Sequence, residues 1–173
     1  ISETNFSAEQ SVAMLQAAAA GQRQLCRGQG AELVWQQNPA PLKVAEVLDI
    51  FRQKTAPAFE VALRLGSICA SLEKHESVSE VLAQYSENLG IAYQIRDDLS
   101  DLGTEGETND LAGQRPTVLL AVAYGKAKAE QKEQLDQVWH RQLPEGLTFE
   151  NIEQMYLDLK AVKRAEDLLT TYK

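Results

Sequence analysis

The chain has 173 residues, 44% of them hydrophobic, with 25 acidic against 17 basic side chains and a formal net charge of -8. That size and apolar content support a single domain, residues 1–173, with its own core, and the charge has the wrong sign for a protein that neutralises nucleic-acid phosphates. No run approaches the ~18 apolar residues of a membrane span, so the sequence reads as a soluble protein that does not cross a bilayer.

The chain opens at Ile1 with no signal-like apolar run, which predicts a processed, truncated or partial polypeptide. Strand signals are nearly absent and helical periodicity recurs throughout, so the predicted fold class is all-α. Ser7 and Gln10 resemble a capping box that opens a long helix through Met14, the alanines at 17–20 and Leu33, stopped at Asn38-Pro39-Ala40-Pro41. Cys26 and Cys69 lie in helical patterns without metal-ligand spacing, which suits a reducing cytoplasm. A helix around 43–53 would bury Val44, Val47, Leu48 and Phe51. Pro57 then suits the first turn of a separate helix carrying Phe59, Leu63 and Ile68. Ser77 and Glu80 read as a second capping box, opening a helix that runs to Asp101. Residues 102–115 fit no period and read as a loop that is functional or mobile. Pro116 restarts a helix through Val118, Leu119 and Val122, and amphipathic segments follow near 126–142 and from Thr148 to the end.

The helix ending at Asp101 carries the strongest chemical signal. With a turn of about 100° per residue and Asp97 at zero, Gln94 falls at about 60°, Asp101 at about 40° and Asp98 at about 100°. Ile91, Ile95, Leu99 and Leu102 fall between about 120° and 200°, so the acids share one side and the apolar residues the other. Carboxylates this crowded repel one another unless a counter-charge lies between them, and a divalent cation is the simplest candidate. An oxygen-only donor set suits Mg²⁺, whereas zinc would want Cys or His. A solvated acidic face is the ordinary alternative for such a cluster. His75 and His140 read as surface histidines, and Trp35, Trp139 and Tyr156 as core or interface aromatics.

The order of motifs narrows the reading. Arg27-Gly28-Gln29 with Glu32-Leu33, then Lys54-Thr55, then Tyr93-Gln94 followed by Asp97-Asp98-x-x-Asp101, closely resembles the second half of a trans-prenyltransferase of the polyprenyl synthetase family. That family includes the farnesyl and geranylgeranyl diphosphate synthases. The resemblance implies the C-terminal portion of a type I isoprenoid synthase helical bundle, usually a homodimer. It implies Mg²⁺-dependent condensation of an allylic diphosphate with isopentenyl diphosphate. By the same resemblance Asp97, Asp98 and Asp101 are metal ligands from the second of two aspartate-rich clusters, and Lys54 contacts the allylic diphosphate. The resemblance also implies that Thr55 and Gln94 turn oxygen dipoles to the allylic cation, and that Gly28 and Gln29 serve packing or shaping of the pocket.

Two departures stand out. Where relatives carry Gly-Lys pairs, this chain reads Gly106-Glu107-Thr108-Asn109-Asp110 and Gly113-Gln114-Arg115-Pro116-Thr117. The first lysine is lost, and Arg115 offers a guanidinium in place of the second, with a different fork and reach. The first aspartate-rich cluster has no counterpart in these residues, so the isolated chain is expected to be inactive. A non-catalytic subunit paired with an active prenyltransferase, and a terpene cyclase-like relative, are the alternatives.

Overall fold

The computed structural model describes residues 6–71, 73–103, 115–143 and 145–173, and among them every regular element is helical. The helices are α1 (Ala8–Gln37), α2 (Val44–Ala70), α3 (Ser79–Ser100), α4 (Val118–Lys126), α5 (Ala129–Trp139), α6 (Phe149–Asp158) and α7 (Ala161–Thr171), with a 3₁₀ turn over Glu76–Val78 ahead of α3. No helix among the described residues is long and apolar enough to cross a membrane.

The long first helix forms as its cap predicts. Ser7 Oγ accepts from Gln10 N at 3.2 Å and the Gln10 side chain accepts from Ser7 N at 3.1 Å, so two of the orphan donors of the first turn are satisfied. At the other end Trp35 Nε1 donates to Ala40 O at 2.8 Å, pinning the proline-containing connection to the helix it follows.

The second helix differs from expectation. The two predicted segments around Pro57 are one continuous helix, Val44–Ala70, with Pro57 inside it. A proline there deprives the carbonyl of Gln53 of its helical donor, a defect that normally breaks or kinks a helix. Neighbouring helices hold this stretch from two sides. A Cβ placed on Gly28 of α1 would lie 2.4 Å from Gln53 O and 2.5 Å from Lys54 N, so bare glycine backbone packs directly on the carbonyl that Pro57 leaves without its donor. A Cβ on Gly90 of α3 would lie 2.8 Å from Ala56 Cα. Packing across three helices therefore outweighs the local preference of the proline.

Other boundaries move for similar local reasons. Ser77 does not cap α3; its Oγ donates to Lys74 O at 2.7 Å within the 3₁₀ turn, and α3 begins at Ser79. Thr117 rather than Pro116 starts α4, with Thr117 Oγ1 accepting from Leu120 N at 3.2 Å. The segment predicted near 126–142 is helical only over Ala129–Trp139. The last predicted helix is two, parted at Lys160, whose φ of 54° leaves the right-handed helical region. Of the predicted loop, residues 104–114 lie outside the described residues.

The core gathers around α4. Val118 to Ala123 are six consecutive buried residues, so this helix is apolar all round and is enclosed by its neighbours. Phe51 of α2, Ile91 and Ile95 of α3, Leu135 and Trp139 of α5, Ile152 and Tyr156 of α6, and Ala161 and Ala165 of α7 close over it. Each large side chain buried in this way contributes roughly 1.5–3 kcal/mol of transfer free energy. Trp35 meets Trp139 edge to face at 5.7 Å between centroids, tying the end of α1 into the same core.

Candidate active site at the acid end of the third helix

The C-terminal turns of α3 carry Gln94, Asp97 and Asp98, with Asp101 as the cap residue. Acids at this end of a helix meet the partial negative charge of the unpaired carbonyls, an unfavourable placement unless positive groups answer it. Two do. The start of α4 lies against α3, and Val118 N donates to Asp98 Oδ2 at 2.6 Å, so a carboxylate takes up an orphan donor of the next helix. Arg115 supplies a full charge: its Nη2 lies 3.0 Å from Asp97 Oδ2, 3.3 Å from Asp101 Oδ2 and 3.9 Å from Asp98 Oδ1.

The three aspartates are therefore not equivalent. The side chains of Asp97 and Asp101 are 39% and 29% exposed, whereas that of Asp98 is fully buried. The helical wheel already placed Asp98 next to the apolar sector, and the structure carries it inside, beside Tyr156. Burial first, and then the Asp98 charge, push the Tyr156 hydroxyl well above the ordinary tyrosine range, so it stays neutral. Among the described residues no three Asp, Glu, His or Cys side chains form a group suited to hold a metal ion. Asp97 and Asp101 remain as partly exposed oxygen donors of the kind a hard divalent ion takes.

Gln94 lies one turn before Asp97. It is 7% exposed, and its Oε1 is buried with no hydrogen-bond partner among the described residues. An orphaned buried carbonyl costs about 1–3 kcal/mol, and its dipole suits a positively charged guest. Gly90, one turn earlier still, packs on Ala56 of α2, the residue that follows Lys54-Thr55.

Lys54 is held by a residue to which the sequence motifs assigned no role. Its Nζ lies 2.6 Å from Glu32 Oε2, and both side chains are over nine-tenths buried. Glu32 stands one turn after Gly28 on α1, on the side where the glycine meets α2. That spacing of four puts Glu32 on the same face of α1 as Gly28, but it does not name Lys54 as the partner. One such pairing occupies one of the three donors of an ammonium. The Lys54 ammonium also lies 5.7 Å from the centroid of the Phe51 ring. Thr55 is half-buried on α2, and Gln29 is exposed on α1.

A family model described as polyprenyl synthetase matches residues 2–155. The chain belongs to the polyprenyl synthetase family. Within this family, a farnesyl diphosphate synthase from Haemophilus influenzae is 34% identical over 112 residues, which are 64% of this chain and 37% of the relative. A geranylgeranyl pyrophosphate synthetase from Pyrococcus horikoshii superposes with a TM-score of 0.77 at 19% identity, covering 99% of this chain and 53% of that one. A polyprenyl synthase from Caulobacter crescentus, solved in complex with calcium and isoprenyl diphosphate, gives a TM-score of 0.71 at 26% identity over 92% of this chain and 49% of its own. The all-α architecture is thus the helical fold of the prenyltransferases, of which this chain spans about half the solved structures' length and 37% of the H. influenzae relative.

Proposed function

We propose that this chain is the portion of a polyprenyl diphosphate synthase that carries the second aspartate-rich motif, acting on an allylic diphosphate and isopentenyl diphosphate. The observation that carries the reading is the orphaned Gln94 carbonyl one turn before the partly exposed Asp97 and Asp101, on the helix whose Gly90 packs on Ala56 next to Lys54-Thr55. The C. crescentus relative, complexed with calcium and isoprenyl diphosphate, supports this ligand chemistry.

Asp97 and Asp101 would hold a divalent ion, Mg²⁺ by its preference for carboxylate oxygen. Such an ion supplies positive charge to the phosphate oxygens of the allylic substrate. Asp98, committed to Val118 N, orients the helix end rather than offering a free ligand. Lys54 places a fixed ammonium where negative charge grows on the departing diphosphate, and Glu32 holds it there before substrate arrives. Gln94 and Thr55 offer oxygen dipoles to the allylic cation, and a carbonyl already desolvated needs no reorganisation to do so. Arg115 adds a second cation for the diphosphate. On this reading the active protein is a homodimer, and the 173 residues alone, with one acid cluster of the family's two, do not turn over.

The test is Asp97→Ala in the complete enzyme, assayed with allylic and isopentenyl diphosphates at saturating Mg²⁺. Product formation falls by about a hundredfold or more, the scale on which a preorganised electrostatic group acts. Helicity by circular dichroism stays unchanged, since the Asp97 side chain is partly exposed. Wild-type turnover would remove the assignment.

A further inference from the structure

We propose that Arg115 is a resident counter-cation of the acid end of α3, which a divalent ion has to displace and which a diphosphate then receives. The inference rests on the reading of Asp97 and Asp101 as divalent-metal ligands. A single nitrogen, Arg115 Nη2, contacts carboxylate oxygens of Asp97, Asp101 and Asp98 at 3.0, 3.3 and 3.9 Å. A Mg²⁺ ion binds oxygen at about 2.0–2.1 Å, so an ion shared by Asp97 and Asp101 would lie in the space this nitrogen fills. The guanidinium is charged at every working pH, so protonation cannot clear it; a competing ion can.

The anchoring of the chain beside it limits what has to move. Val118 N is bonded to Asp98 and Thr117 caps α4, so the backbone from Thr117 onward is anchored and the exchange falls to the Arg115 side chain. The Arg115 side chain is 20% exposed, giving it a route outward. A planar guanidinium pairs bidentately with phosphate oxygens, so a diphosphate bound next to the metal offers the displaced arginine an equivalent partner. Metal and diphosphate then favour each other's binding, because each relieves the exchange that the other requires, and that coupling is reciprocal.

Mn²⁺ binding, followed by electron paramagnetic resonance with and without inorganic pyrophosphate, tests this in the complete protein and its Arg115→Gln, Arg115→Met and Asp97→Asn variants. The ion lost in Asp97→Asn identifies the site. Without pyrophosphate, Arg115→Gln binds that ion on the order of tenfold more tightly than wild type, the effect of removing a unit charge about 5 Å from a divalent ion in a water-like dielectric. Pyrophosphate tightens Mn²⁺ binding more in wild type than in Arg115→Gln. Affinity in Arg115→Gln equal to or below wild type, with Asp97→Asn still losing the ion, overturns the inference and leaves the proposed function standing. No Asp97-dependent ion in either wild type or Arg115→Gln overturns both. Should Arg115→Gln lose helicity, Arg115→Met, which also removes the charge, decides: tighter binding supports displacement, and unchanged or weaker binding overturns it.

Discussion

Asp97 and Asp98 are neighbours in the chain and about 100° apart around α3, and that rotation separates their surroundings. Asp97 reaches the surface beside Arg115, while Asp98 is enclosed and accepts the backbone N–H that opens α4. Removing the Asp98 carboxylate leaves that donor buried without its partner, so Asp98→Ala should lower unfolding free energy by about 2–3 kcal/mol, as a charge-assisted hydrogen bond predicts. Urea denaturation in the absence of substrate reads this, and an unshifted midpoint would show that Asp98 does not hold α4. Of the candidate site, the shared face of the acids and Gln94 follows from helical spacing, whereas Lys54 enters only through the motif order that carries the family resemblance. The pairing of Glu32 with Lys54 and the position of Arg115 were not, since both depend on which helices cross and where.

At the level of elements, α1 and α2 meet at glycine. A side chain on Gly28 would collide with backbone atoms of Gln53 and Lys54, which cannot step aside as a flexible side chain can. Gly28→Ala should therefore destabilise by about 1–3 kcal/mol, the usual cost of overpacking, although alanine is the better helix former. Gly30, two residues on, has open space where a Cβ would go, and Gly30→Ala should stabilise by up to about 1 kcal/mol. Thermal melts of the two variants moving in the same direction would refute the crossing as the cause. The same contact explains why periodicity and proline rules divide a single helix into two. Local rules place a helix start at Pro57, and glycine contacts from two neighbouring helices, Gly28 on Gln53 and Gly90 on Ala56, make the interruption tolerable.

For the whole molecule, helical class and the main apolar faces follow from periodicity, which survives any arrangement of the helices. The break at Lys160 and the shift from Ser77 to Ser79 do not, because each rests on a few backbone hydrogen bonds with no strong residue preference behind them. The acid end of α3 is the point where this matters most. Its charge is answered from within the chain by Arg115 and by the first N–H of α4, so its closure needs no ion. Under the proposed function, folding and metal loading are then separate events, unlike those in small zinc modules whose ion is part of the folded state. Chelation should leave the circular dichroism spectrum and a single cooperative melt in place, with added Mg²⁺ raising the midpoint only by mass action; a helical signal lost on chelation would contradict it. Under that proposal the acidic helix packs without an ion, and the metal is taken up afterwards, with the substrate.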